Sequence, residues 1–335
     1  MPQYRRLAGS VLLAFLTVPL HSQSANVWKD PSPHATRFVT VDKGVRLEVL
    51  DWGGSGKPIV LLAGGGNTAH VFDDFAPKLT AHYHVYGITR RGFGASGYAA
   101  TDRPADRLGD DVVAVLDSLH LNKPILVGHS IAGVELSSVA NSHPNRVAGL
   151  VYLDAAYSYA FDNGSGVSIM EVQKLQGPHA PPPGKTDLAS FSALQQYYER
   201  VNGLRFPEAE LHAQWEATPD GGVGNRRDLP GTALFMPLIT GTKKYTAIPA
   251  PALVIFANPH SQGTWVDENT DPSVQAAARA YSTALEALTQ KQERSVENGV
   301  PTAHVITLRG ANHYVFLSNE AEVLKDIDAF LVSLR

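Results

Sequence analysis

The stretch that decides the fold is ILVGHSIAGVELSSVA, residues 125–140. A short apolar run typical of a buried strand leads directly into GHSIA, residues 128–132, after which the pattern becomes helical. A serine on a sharp strand-to-helix turn exposes its hydroxyl above the sheet, and the crowded backbone requires small residues two positions before and after it. Gly128 and Ala132 meet that requirement. The pattern predicts Ser130 as a nucleophile, with the positive end of a helix dipole beside it.

Apolar runs like this one recur along the chain and alternate with helical patterns. Helical spacing of apolar residues is clear at Leu108–Leu119, Val274–Leu288 and Glu320–Leu334. The central apolar runs are uninterrupted, as in strands covered on both faces, whereas the first two alternate and suggest an edge hairpin. This order predicts an α/β fold with a doubly wound, mostly parallel eight-stranded sheet. The predicted strands are Arg37–Val41, Val45–Trp52, Ile59–Ala63, Val85–Thr89, Ile125–Gly128, Val147–Leu153, Ala252–Ala257 and His304–Leu308.

The domain organisation follows from where this alternation starts and stops. Residues 1–24 contain a basic pair, a ten-residue apolar run and small residues before position 25, which is the order of a signal peptide. Residues 25–154 and 251–335 carry the strand pattern and form the two parts of the core. Between them, residues 155–250 are rich in Pro and Gly and contain short amphipathic pieces, which predicts a helical cap inserted into the core.

Composition restricts the possible partners and compartments. The formal net charge of −4 argues against nucleic acid, because phosphate binding needs a basic face. The apolar run near the N-terminus is too short to span a bilayer, so we expect no stable membrane insertion. Cysteine is absent, which excludes disulfides, a thiol nucleophile and a cysteine-ligated zinc ion. With the predicted signal peptide, these features favour a secreted or periplasmic protein.

Two motifs resemble those of the α/β-hydrolase family. The segment at residues 128–132 is similar to the family's Gly-x-Ser-x-Gly turn, with Ala132 in place of the last glycine. The segment RRGFGAS, residues 90–96, resembles a structural loop of the family that supports the site, with Thr89 in place of the usual aspartate. The resemblance implies a serine, a histidine and an acid acting together, with no metal and no organic cofactor.

The resemblance also implies an oxyanion hole made of backbone amides. One donor is the amide of Ile131, directly after the nucleophile. The second is expected from AGGGN, residues 63–67, where glycines let amides face the site without obstruction. Gly65 is the predicted donor, because the family's donor follows the first glycine. The neighbouring glycines and Asn67 remain alternatives.

His313 is the predicted general base. It lies in RGANHY, residues 309–314, after the last predicted strand and before the C-terminal helix, and it follows the serine in the chain as the family order requires. Serine is a weak nucleophile at neutral pH and needs such an imidazole beside it.

The acid that orients this histidine is less strongly indicated. Many family members carry an aspartate after the seventh strand, but there the chain has His260, with Asp267 and Glu268 farther along. A second arrangement, similar to haloalkane dehalogenases and some lactonases, takes the acid from the end of the sixth strand, where this chain has Asp154. We therefore predict Asp154, with Asp267 and Glu268 as alternatives.

These residues predict a serine hydrolase that cleaves a small-molecule carboxylic ester or lactone through an acyl-enzyme on Ser130. Dehalogenases and epoxide hydrolases of this fold use aspartate at the turn, so the serine excludes their chemistry. Four other functions remain open: a carbon–carbon bond hydrolase, a cofactor-free haloperoxidase, an acyltransferase, and a catalytically silent binding module.

Overall fold

Eight strands form one mixed sheet in the computed structural model, which describes residues 28–241 and 243–334. The strand order is β1-β2-β4-β3-β5-β6-β9-β10, with antiparallel pairing of β1 with β2 and of β2 with β4, and parallel pairing elsewhere. The predicted fold class and the edge hairpin are confirmed. The strands of this sheet are β1 (Ala35–Asp42), β2 (Val45–Gly53), β3 (Pro58–Leu62), β4 (His84–Ile88), β5 (Ile125–His129), β6 (Gly149–Leu153), β9 (Ala252–Ala257) and β10 (Ala303–Leu308).

Helices cover both faces of the sheet, because the central strands are apolar on both sides. Buried side chains of α1 and α2 pack on one face, and those of α10 pack on the other. β5 and β6 are buried along their whole length between these layers. The α-helices are α1 (Pro104–Ser118), α2 (Gly133–Ser142), α3 (Ile169–Gln173), α4 (Phe191–Asn202), α5 (Glu208–Gln214), α6 (Phe235–Thr240), α7 (Thr264–Asp267), α8 (Pro272–Gly299), α9 (Val315–Ser318) and α10 (Glu320–Ser333).

The segment predicted as a cap, residues 155–250, occupies the interval between β6 and β9. It contains the short helices α3 to α6 and an antiparallel pair, β7 (Trp215–Ala217) with β8 (Val223–Arg226). The sequence did not predict this hairpin, because strands of three and four residues are too short to show a periodic pattern. It also underestimated α8, which has 28 residues.

The chain divides into two compact units, residues 1–30 and 31–335. Of the first unit the structure describes only residues 28–30, which have no regular secondary structure. The predicted signal peptide, residues 1–24, lies outside the described residues. Within the described part of the chain, no helix combines the length and the apolar character needed to cross a membrane.

Two residues at neighbouring strand ends have a left-handed backbone that is rare outside glycine. Ser130, after β5, has φ +54° and Asp154, after β6, has φ +47°. Such conformations cost free energy and persist only where the surroundings enforce them. Gly133 provides part of that enforcement, because a Cβ at this position would lie 2.0 Å from the carbonyl oxygen of Ala155. The first turn of α2 therefore packs directly on the backbone that follows Asp154.

We predict that Gly133→Ala lowers the free energy of unfolding by about 1–3 kcal/mol or more, because the extra methyl must displace a backbone carbonyl rather than a flexible side chain. Urea denaturation followed by circular dichroism measures this loss. Gly184→Ala is the matched control, since its Cβ would meet no atom closer than 3.6 Å. Equal stability of the two variants would contradict this packing.

Candidate active site

Five adjacent parallel strands deliver chemically active groups to one edge of the sheet. In the spatial order β3, β5, β6, β9, β10, the segments after their carboxyl ends carry Gly65, Ser130, Asp154, His260 and His313. This is the edge at which α/β sheets bind ligands. The strand order therefore brings together residues that lie up to 248 positions apart in sequence.

Ser130, His313 and Asp154 form a continuous chain of hydrogen bonds. His313 Nε2 lies 2.9 Å from Ser130 Oγ, and His313 Nδ1 lies 2.5 Å from Asp154 Oδ2. Because an ionised carboxylate only accepts, Nδ1 carries the proton and Nε2 is left to accept from the serine hydroxyl. The alternative acids, Asp267 and Glu268, are exposed at the end of α7 and just after it.

Asp154 is fully buried and receives four hydrogen bonds. Tyr157 and the amide of Ala257 donate to Oδ1 at 3.0 and 3.2 Å, while His260 and His313 contact Oδ2 at 2.7 and 2.5 Å. Burial by itself would raise the pKa of Asp154. Attraction to His260, together with hydrogen bonds from both imidazoles, outweighs burial and lowers the pKa well below its usual range. The carboxylate is thus held ionised.

His129 supports the loop that carries His313. Its Nε2 lies 3.0 Å from the carbonyl oxygen of His313 and therefore donates to it. Complete burial, followed by the nearby charge of His313, lowers the pKa of His129 to about 3. A neutral His129 can fix this loop without adding a charge beside Asp154.

The glycine-rich loop after β3 lies against the nucleophile. Gly65, Ser130 and Ile131 line the same cavity. A Cβ on Gly64 would come within 2.6 Å of the His129 ring and 3.2 Å of Ser130 Cβ, so this close approach requires glycine. Whether the amides of Gly65 and Ile131 act as the oxyanion donors remains a prediction.

Arg90, in the segment at residues 90–96, binds the backbone of this glycine-rich loop, as expected for a segment that supports the site. Its guanidinium donates to the carbonyl oxygens of Ala63 and Gly64 at 2.8 and 3.2 Å. The same guanidinium forms a buried bidentate pair with Glu135 at 2.9 and 2.5 Å. Fixing the two carbonyls orients the peptide planes of the loop, which is the preorganisation that an anion-binding site needs.

The sequence did not single out two tyrosines beside the site. The Tyr159 hydroxyl interacts with Ser130, and burial raises its pKa, so it remains a neutral donor. Tyr157 binds Asp154, and its hydroxyl also lies 3.5 Å from His260 Nε2. Both belong to the segment directly after Asp154, but tyrosines in an irregular segment give no local signal of their partners.

Glu210 in α5 joins the predicted cap segment to the glycine-rich loop. Its carboxyl group accepts from Asn67 Nδ2 at 2.8 Å and from the amide of Thr68 at 3.2 Å. It also accepts from the Thr68 hydroxyl and, at 2.6 Å, from Gln214. Burial raises the pKa of Glu210 to about 7, although these hydrogen bonds oppose the shift. All of its partners are neutral, in contrast to those of Asp154.

The cavity above Ser130 has a volume of about 670 Å³, a size typical of small-molecule sites. Aromatic and aliphatic side chains form much of its wall, including Phe235 of α6, Trp265 of α7 and Tyr281 of α8. Among the described residues that line it, none is a lysine or arginine. His260 and His313 both reach the cavity wall from the sheet side.

Among the described residues, two clusters of histidines and aspartates have their possible metal-ligand atoms within 4.8 Å of one another. Asp154, His260 and His313 are one, but their direct contacts of 2.5 and 2.7 Å are shorter than the spacing of about 3.3 Å between ligands of a tetrahedral zinc ion. The other contains His70 and Asp73. Burial would lower the pKa of His70, but hydrogen bonds and attraction to Asp73 and Glu48 raise it to about 10.

Comparisons with known proteins agree with the fold. The model of the "Alpha/beta hydrolase family" matches residues 59–326. A non-heme chloroperoxidase from Streptomyces lividans is 33% identical over 120 residues, which cover 35% of this chain and 44% of that protein. A pyrethroid hydrolase from Sphingobium wenxiniae is 28% identical over 210 residues, covering 53% and 67%.

Similarity to solved structures extends over more of the chain. The structure of an E-2-(acetamidomethylene)succinate hydrolase superposes with a TM-score of 0.60 at 20% identity, covering 89% of this chain and 99% of that one. By contrast, the matched region spans only 37–44% of the length of the first three curated relatives.

We predict that Glu210→Gln changes how stability depends on pH. The folded chain binds the Glu210 proton more tightly than the unfolded chain, so this residue contributes stability at acid pH that is lost as pH rises from about 4.5 to about 7. Glutamine mimics the protonated acid. The difference in unfolding free energy, Glu210→Gln minus the unsubstituted chain, should therefore grow through this window by about 3 kcal/mol at most and then level off.

Urea denaturation at half-unit pH intervals measures this difference. The matched control is Glu199→Gln, an exposed glutamate on α4, for which the difference should stay flat. A flat difference for Glu210→Gln as well would contradict the raised pKa.

Proposed function

Because this chain belongs to the alpha/beta hydrolase family, we propose that it is a serine hydrolase that cleaves carboxylic esters through an acyl-enzyme on Ser130. One observation carries the proposal. The Ser130 hydroxyl is hydrogen-bonded to His313, which is hydrogen-bonded to the ionised Asp154, at the base of a largely apolar cavity. A serine that lines a cavity, with an imidazole acceptor on one side, is the arrangement that nucleophilic catalysis requires.

Acylation would begin with attack of Ser130 Oγ on the ester carbonyl carbon. His313 Nε2 takes the serine proton as the new C–O bond forms, and Asp154 stabilises the imidazolium across Nδ1. The carbonyl oxygen becomes an oxyanion, for which we propose the amides of Ile131 and Gly65 as donors. His313 then gives its proton to the leaving alkoxide, the ester C–O bond breaks, and the alcohol departs.

Deacylation repeats these steps with water as the nucleophile. His313 removes a proton from water as its oxygen attacks the acyl carbon, and it returns that proton to Ser130 Oγ when the acyl–enzyme bond breaks. The products are one carboxylic acid and one alcohol, and the enzyme is regenerated without a metal or cofactor taking part.

The cavity supports a neutral substrate with a bulky apolar group. Its described lining residues include no lysine or arginine. His179 lies exposed at its wall, and His260, when protonated, is paired with Asp154, so a substrate carboxylate would have to compete with Asp154 for that charge, which makes its burial costly. The imidazole of His260 is already engaged by Asp154 at 2.7 Å. Aromatic walls instead favour rings or alkyl chains.

Haloperoxidase chemistry is the second candidate, favoured by the similarity to the chloroperoxidase. It would use the same acyl-enzyme, with hydrogen peroxide in place of water as the acceptor, so that the acyl–enzyme bond breaks and a peracid is released. The peracid would then oxidise a halide ion to hypohalous acid and become the carboxylic acid. Product analysis separates the two functions, because hydrolysis yields only the carboxylic acid whether or not peroxide is present, whereas peroxide attack yields the peracid. The same product analysis distinguishes ester hydrolysis from lactone hydrolysis, from acyl transfer to an alcohol and from cleavage of a carbon–carbon bond, because each reaction gives different products.

We predict that Ser130→Ala and His313→Ala each reduce kcat/KM for p-nitrophenyl butyrate by about 10⁴-fold or more, because the two residues act as one unit. The matched controls are Ser261→Ala and His179→Ala, which change residues on the same cavity wall and should cost less than tenfold. Fluorophosphonate labelling followed by peptide mass spectrometry locates the nucleophile independently of substrate choice. Turnover or labelling that survives Ser130→Ala would show that the nucleophile is another residue.

We also predict that the enzyme prefers neutral esters. Mono-p-nitrophenyl succinate should be hydrolysed with a kcat/KM at least about tenfold below that of p-nitrophenyl butyrate, because its carboxylate would enter a cavity whose described lining has no lysine or arginine and whose His260 is paired with Asp154. The methyl ester of the same succinate has the added atoms without the charge and should recover most of the activity. Equal rates for the charged and neutral esters would refute a neutral substrate.

A further inference from the structure

Asp154 is hydrogen-bonded to a second histidine, His260, which has no role in the proposed mechanism. His260 Nε2 lies 2.7 Å from Asp154 Oδ2, the same oxygen that His313 Nδ1 contacts at 2.5 Å. The two rings meet at an angle of 79° with centroids 5.9 Å apart. One carboxylate oxygen therefore joins two imidazoles that both face the cavity.

We propose that His260 is a positioning residue that shares the Asp154 carboxylate with His313 and, when protonated, keeps His313 unprotonated to lower pH. This inference rests on the proposed function, because it concerns the pH range over which His313 acts as a base. The geometry supplies two reasons for the effect. A positive His260 repels a second positive charge 5.9 Å away, and it occupies the oxygen that would otherwise stabilise that charge.

The surroundings of His260 favour its protonated form. Its side chain is only 15% exposed, and burial alone would lower its pKa, but attraction to Asp154 and the hydrogen bond that His260 donates to Asp154 raise the pKa instead. The tyrosines around it remain neutral. Burial raises the pKa of Tyr157, which is bound to Asp154, and the pKa of Tyr281 on α8, which lines the same cavity.

Of the acids on the neighbouring helix α8, Glu286 lies 4.0 Å from Arg309, and Glu293 is bound to residues other than His260. Glu293 of α8 is hydrogen-bonded to Asn258, two residues before His260, at 3.2 Å, and burial raises its pKa. Asp154 is therefore the charged group in direct contact with His260, and His313 contacts the same carboxylate oxygen. Interacting sites this close titrate as a pair rather than independently, so a change at one is measurable at the other.

His260→Gln tests this directly, because glutamine keeps a donor toward Asp154 and removes the charge. The pH at which kcat/KM for p-nitrophenyl butyrate falls to half on the acid side should rise by about one unit. Well below the midpoint of the unsubstituted enzyme the variant should therefore lose about tenfold, while at pH 8.5 it stays within about threefold of the unsubstituted enzyme. The control His143→Gln, which changes a partly exposed histidine outside the cavity, should leave the profile unchanged.

If His260→Gln lost activity by the same factor at every pH, and the pH of half-maximal kcat/KM on the acid side did not change, the proposal would be overturned. His260 would then have a structural role. Histidine ¹⁵N chemical shifts provide a readout that needs no turnover. In the unsubstituted protein His260 and His313 should titrate as a coupled pair, and in His260→Gln the His313 midpoint should move up by about one unit. An unmoved midpoint would also overturn the proposal.

Failure of the proposed function gives a different result. If the unsubstituted protein neither hydrolyses esters nor reacts with a fluorophosphonate, then Ser130 is not a working nucleophile. The ¹⁵N titration still decides whether His260 controls the protonation of His313.

Discussion

The structure of the site depends on one buried negative charge. Asp154 has no exposed surface, and an ionised carboxylate removed from water must be compensated by donors or by opposite charge. Its compensation comes from the segment that follows β6, from the end of β9 and from the loops after β9 and β10. Satisfying this single group therefore fixes three strand ends relative to one another, and it orients the His313 ring on which the proposed chemistry depends.

Backbone strain at the site is part of the same arrangement. Ser130 and Asp154 both adopt left-handed conformations at the ends of the paired strands β5 and β6. The first turn of α2 fits against the carbonyl of Ala155 only because residue 133 has no side chain. Helix α2 follows Ser130 in the chain and packs on the backbone that follows Asp154. Relaxing the backbone of either residue would therefore require moving this helix, so the packing can hold both strained conformations.

Much of the fold could be predicted because its signals are local. Continuous apolar runs revealed the central strands, and the small residues around Ser130 revealed the turn. The contacts of Glu210 with Thr68 and of His260 with Asp154 span 142 and 106 positions, so no local pattern could contain them. His260 stood out only as a histidine at a position where an acid was expected. The choice between Asp154 and Asp267 likewise depended on distances that a sequence does not provide.

Two buried carboxyl groups near the site are stabilised in opposite ways. Asp154 faces two imidazoles and stays ionised, whereas Glu210 faces only amides and hydroxyls, and its pKa rises to about 7. Hydrogen bonds from neutral donors offset part of the cost of burying a charge, but a nearby cation offsets more. The group that orients His313 is therefore charged at every pH at which His313 can act as a base. The group that ties α5 to the glycine-rich loop changes charge near neutrality.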